Sequence, residues 1–145
     1  MFGKLKERLT GGASRLTGKA DLLEAICAAC VLVASADGDL ADDEAAVALD
    51  RLTNHDTLSQ AFSATQIEAA FDRQAKRAKS GLSGRIGLRR EIEEAKAKSA
   101  ADDLEMLLVI AIDVASADGD VGAKEMAALK TIGQAVGLEP ARYLA

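Results

Sequence analysis

The chain has 145 residues, about the size of one ordinary domain, so it can bury a continuous core without disulfides or metals. Hydrophobic residues make up 49% but aromatics only 3%, which demands an aliphatic core and argues against nucleic-acid binding through stacking. The net charge of −5 is distributed in alternating blocks, +4 over residues 1–20, −8 over 21–56, +4 over 57–100 and −5 over 101–145, so that acidic and basic surfaces can coexist.

A single proline and many Ala, Leu, Glu and Lys residues favour helix throughout, because these side chains lose little freedom there. Residues 1–20 place Phe2, Leu5, Leu9 and Leu16 among Lys4, Lys6, Arg8, Arg15 and Lys19. That pattern suits a basic tail or an amphipathic segment in peripheral contact with an anionic membrane, although Gly11-Gly12 interrupts it. No apolar run is long enough to span a bilayer, and charges between Lys4 and Arg15 leave no signal-peptide core. Cytoplasmic residence, at the inner face of the membrane if that segment binds it, is the expectation.

The helical domain is expected over residues 21–145. Asp21 and Glu24 have the spacing of a helix cap and its partner and open a helix predicted over 21–36, with Leu22, Ile26, Cys30 and Val33 inward. Gly38 suits the left-handed position that ends it. A second helix is predicted over 42–52, with Val47, Leu49 and Leu52 apolar and three acids at its N-terminal end. Two basic helices follow, near 64–79 and 84–98, joined by the Ser80–Gly84 turn. Ser99 with Asp102 opens a very apolar helix over 100–117, another runs over 123–136, and Pro140 starts a short last one. The expected fold is all-α, a compact bundle of about seven to eight helices.

The strongest signal is internal. Val33-Ala34-Ser35-Ala36-Asp37-Gly38-Asp39 recurs unchanged as Val114-Ala115-Ser116-Ala117-Asp118-Gly119-Asp120, and Leu40/Val121 and Glu44/Glu125 continue the same register. Seven consecutive identities imply a duplicated helix–acidic loop–helix unit. Each loop offers three carboxylates, Asp37, Asp39 and Glu44 in the first and Asp118, Asp120 and Glu125 in the second. A hard cation needs such converging oxygens, a glycine allows the sharp turn, and an acid in the next helix can fold back over the loop. The site expected is therefore for a divalent cation, Ca²⁺ or Mg²⁺ before Zn²⁺. The loops are too short for a standard EF-hand. The competing reading makes these acids helix caps and dipole partners only. The first loop is the better candidate, since Ala123-Lys124 replaces Asp42-Asp43 in the second.

Other chemistry-bearing residues carry less. Cys27-Ala28-Ala29-Cys30 lacks the second half of a zinc site and any βαβ context, so the pair reads as core packing. His55 has no nucleophile placed beside it by motif and reads as a solvated turn residue. Gly84-Arg85-Ile86-Gly87 has no strand before it to make a phosphate loop. Asp113 reads as an exposed position on a narrow polar stripe. The basic central helices offer a surface to an acidic partner.

The two units at 33–44 and 114–125, the ending Ala135-Val136-Gly137-Leu138-Glu139-Pro140-Ala141 and the start Met1-Phe2-Gly3-Lys4-Leu5-Lys6 resemble the TerB (tellurite resistance protein B) family. The resemblance implies an all-helical bundle without catalysis, serving tellurite resistance or related envelope and chemical-stress responses. It also implies protein partners among metal-binding and membrane components, and acidic loops that take divalent cations. The two acidic loops are expected close together on one face of the bundle, as follows if the apolar first helices of the two units cross at an angle; antiparallel pairing would send the loops to opposite ends.

Overall fold

The computed structural model describes residues 19–117 and 119–144, so the segment expected over residues 1–20 lies outside the described residues except for Lys19 and Ala20, as does Asp118. Among the described residues there are eight helices and no strand: α1 (Ala20–Ala34), α2 (Asp42–Thr53), α3 (Asp56–Ala61), α4 (Ala64–Ala78), α5 (Gly81–Lys98), α6 (Ala101–Ala115), α7 (Ala123–Val136) and α8 (Ala141–Leu144). None is long and apolar enough to cross a membrane. The all-α expectation holds. The element not foreseen is α3, too short for a periodic pattern; Thr57 and Leu58 turn inward from it.

Helix α1 runs through the middle. Ten of its fifteen residues are buried, including an unbroken run from Ala25 to Val31, because it is apolar nearly all round. Helices α4, α5 and α6 make its main walls, with α2 and α7 filling in. Helix α6 is its counterpart, also with ten buried residues, among them Met106, Leu107, Leu108 and Ile110. Alanines and cysteines on α1 keep its radius small and let five neighbours approach. Cys27 and Cys30 belong to this core, as expected, and burial pushes both thiols far up from their ordinary pKa. Each large aliphatic side chain enclosed this way contributes roughly 1.5–3 kcal/mol.

Several expected details come out differently. Helix α1 has no side-chain cap: Lys19 holds the N-cap position, and Glu24 turns away to α4. There its carboxylate accepts hydrogen bonds from Arg73 Nε at 3.0 Å, Arg73 Nη2 at 2.8 Å and Gln74 Nε2 at 2.9 Å. A forked Arg–carboxylate pair between two helices outbids a local cap bond. The N-cap of α6 is Ala100 rather than Ser99, and the acid that matters in its first turn is Asp103, fully buried and 3.1 Å from Lys19 Nζ. Helix α1 ends at Ala34 with Ser35 as its C-cap, three residues before Gly38. Val47 is half exposed instead of buried. His55 is mostly enclosed, with Nε2 3.6 Å from Asp113 Oδ2, while Asp113 is exposed as expected.

Helices α4 and α5 meet at a glycine: a Cβ built on Gly84 would fall on the carbonyl oxygen of Arg77. Gly84→Ala must push the two helices apart at their tightest point. It should lower unfolding free energy by about 1–3 kcal/mol, read as a lower urea midpoint with unchanged slope. The Glu24 clamp gives a second expectation. Burial alone raises this carboxyl's pKa, but the hydrogen bonds from Arg73 and Gln74 and the charges of Arg73 and Arg77 outweigh it and hold the group below its ordinary value. A depressed folded pKa contributes stability that is present above the unfolded value and lost as pH falls through the folded one. Glu24→Gln should therefore melt lower than the parent at neutral pH, and the gap should close as pH drops below the ordinary carboxylate range.

Candidate functional site

Among the described residues the two repeated strings make matching hydrogen bonds. Ser35 Oγ donates to Val31 O at 2.7 Å and Ser116 Oγ to Ile112 O at 2.8 Å, so each serine folds back on its own helix. The amides of Gly38 and Gly119 donate to Ser35 O and Ser116 O, both at 2.9 Å. Gly38 and Gly119 have φ of 106° and 111°, a region that penalises any side chain and explains glycine at both places. In the first loop, Asp39 N–H donates to Asp37 Oδ1 at 3.2 Å, which closes a local turn, and Leu40 plugs into the core.

The acids that open the following helices have assigned work. Ala41 N–H donates to Glu44 Oε1 at 3.2 Å, and Gly122 N–H donates to Glu125 Oε1 at 3.1 Å. Each is half of a capping box, since Ala41 and Gly122 carry no side-chain acceptor to complete the other half. Asp43 Oδ1 accepts from Glu44 N–H at 3.0 Å.

Two arginines that sequence reasoning passed over hold the loops in place. Neither α1 nor α6 has a basic residue in its last turn, so the negative ends of both helices need a cation from elsewhere. Arg85, from α5, donates through Nη2 to Ser35 O at 3.2 Å. Arg51, from α2, donates through Nη2 to Ala117 O at 3.0 Å and so ties the first unit to the second unit's loop. The missing C-terminal cations were the readable signal; which distant residues would supply them was not.

Between the loops lies one open cleft of about 590 Å³. Its floor is apolar: Val33 and Ala34 from α1, Val47 and Ala48 from α2, and Val114 from α6. Its rim carries Asp37, Asp43, Glu44 and Glu125, with Lys124 the one base. Residues of both units thus line a single hollow on one face of the bundle. Of the six expected ligands, Asp37, Glu44 and Glu125 reach this cleft. Asp39 and Asp120 are exposed and do not line it, and Asp118 lies outside the described residues. Among the described residues no three His, Cys, Asp or Glu side chains come close enough to hold a metal ion between them. The arrangement is an apolar slot under a negative rim, suited to a cationic group attached to an apolar one.

Neither the curated proteins nor the solved structures contain a significant match to this chain. The family model described as tellurite resistance protein TerB matches residues 23–145, from the second turn of α1 to the C-terminus. That span takes in every helix that builds the cleft and both of its loops, and the chain belongs to the TerB family.

Proposed function

We propose that this TerB-family chain is a non-enzymatic binding module of tellurite resistance and related chemical-stress responses, which engages protein partners in a manner that responds to a divalent cation. The observation that carries the reading is the single cleft that both acidic loops border, with an apolar floor beneath a carboxylate rim. Asp37, Glu44 and Glu125 would hold the cation from the rim, with Asp39, Asp118 and Asp120 adding charge. Glu44 and Glu125 each commit one oxygen to a cap N–H and keep the other for a ligand. An all-oxygen set favours Ca²⁺ or Mg²⁺ over Zn²⁺. With no preassembled group of three carboxylates, affinity falls in the weak range of about 10⁻⁴–10⁻³ M. The partners proposed are metal-binding or membrane components of a resistance system, met in the cytoplasm at the inner face of the membrane, with residues 1–20 making peripheral contact.

A second reading has its own support. The cap bonds from Ala41 and Gly122 account for Glu44 and Glu125 without any metal, leaving a protein-interaction module whose loops are structural. Calorimetric titration with Ca²⁺, Mg²⁺, Mn²⁺ and Zn²⁺ separates the two. The expected result is saturable heat with Ca²⁺ or Mg²⁺, abolished when Asp37 and Asp39 are both changed to Asn. Absence of heat with every metal assigns the loops to capping.

A further inference from the structure

Among the described residues almost all the large apolar side chains are turned inward, and the exceptions are few. Among the described residues the large hydrophobics that stand out of the surface are Val47, Leu82 and Ile86, exposed by 50%, 75% and 46%. They occupy two places. Val47 is on the floor of the cleft, under its acidic rim. Leu82 and Ile86 sit one turn apart near the start of α5, at the tip of the α4–α5 hairpin. Residues 73–90, which flank this tip, carry seven basic side chains and no acidic one, of which Arg73, Arg77 and Arg89 are ion-paired with Glu24, Glu91 and Glu93. Lys79 and Arg90 have no ion-pair partner among the described residues. One surface is therefore an apolar slot with a negative rim, and the other is an apolar knob in a positive collar.

The two surfaces also adjoin. Arg85 of the tip bonds to Ser35 O, and a Cβ placed on Gly38 would lie 3.9 Å from its Nη2. A smaller hollow beside the cleft is lined by Arg85, Ser35, Ala36 and Lys124, and the last two line the cleft as well. From these observations we infer that the chain pairs with a second copy of itself, the hairpin tip of each seated in the acidic cleft of the other. Adjoining complementary patches permit a closed twofold exchange, in which both contacts form at once and no sticky surface is left over. Each patch is used twice, which helps two small surfaces approach the roughly 1,200–2,000 Å² that a stable interface buries. Charge complementarity selects the register, and the collar of arginines and lysines meets carboxylates that would otherwise repel one another.

An anionic bilayer is the other surface that an apolar tip with a basic collar fits. The position of Arg85 argues against it. Because the tip adjoins the Asp37-Gly38-Asp39 turn, a bilayer that met the tip would also meet those carboxylates, whereas a second copy pairs both sets. The inference does not depend on a bound cation, and its test is run in chelator to keep the two apart.

The test is sedimentation velocity on the full chain, up to about 500 μM, at low and high salt. The expected result is a monomer–dimer equilibrium weakened by salt. Val47→Arg puts a positive charge in the cleft and Leu82→Glu a negative one on the tip, both at exposed positions where circular dichroism should stay unchanged. Each variant alone should raise the dissociation constant about tenfold or more. An equimolar mixture of the two should recover dimer, because a mixed pair contains one native contact and one with the charges exchanged. A chain that stays monomeric throughout, or a dimer indifferent to both substitutions, overturns the inference. So does a monomer that co-sediments with phosphatidylserine vesicles and loses them on Leu82→Glu, which would give the tip to the membrane.

Discussion

Helix α1 has no continuous polar side to turn toward water, so other elements have to enclose it. That requirement organises the molecule. Four-sided enclosure needs more helices than one helix–loop–helix unit supplies, and the second apolar helix, α6, has the same need. Each covers part of the other, and α4, α5 and α7 complete the jacket. The small side chains of α1 permit close approach, and Gly84 permits it again where α4 meets α5. The amphipathic helices can then keep their charged sides outward, which is how a chain nearly half hydrophobic still presents blocks of opposite sign.

Once α1 and α6 are enclosed, their C-terminal ends become the awkward points. Both leave carbonyls exposed and neither carries a basic residue in its last turn. The solution is tertiary: Arg85 and Arg51 come from other helices to meet Ser35 O and Ala117 O. The Arg51 contact also ties the second loop to the first unit, and residues of both loops line the slot between them. The loops are held at their bases by guanidinium groups while Asp37, Glu44 and Glu125 stay at the rim. Glu44 and Glu125 each give one oxygen to a cap and line the slot as well.

Features set by spacing along the chain were legible before any coordinates. The helical period, the repeat and the glycine turns all belong to that class, and so does the inward place of Cys27 and Cys30. What stayed hidden was decided by residues far apart in sequence. Glu24 has the spacing of a cap partner, yet Arg73, 49 positions on, claims it. Asp103 is one of two adjacent acids in a first turn, and only the fold makes it the buried one, next to Lys19. His55 looks like a turn residue until Asp113 arrives beside it. Val47 has an apolar side chain at a plausible inward position, but the slot leaves it half uncovered. The candidate site followed the same rule: its acids were readable one loop at a time, while the shared cleft and the two arginines that set it were not.

The enclosed thiols have a consequence for how the protein meets an oxidising or thiol-seeking environment. Cys27 and Cys30 lie in the unbroken buried run of α1 and are held as neutral thiols by burial. Reagents act on thiolate, and reach it only when α1 comes out of its jacket. Their rate of modification therefore counts openings of the core, not encounters at the surface. The pair is a built-in reporter on opening of the packing around α1, readable by alkylation and mass spectrometry without adding any label.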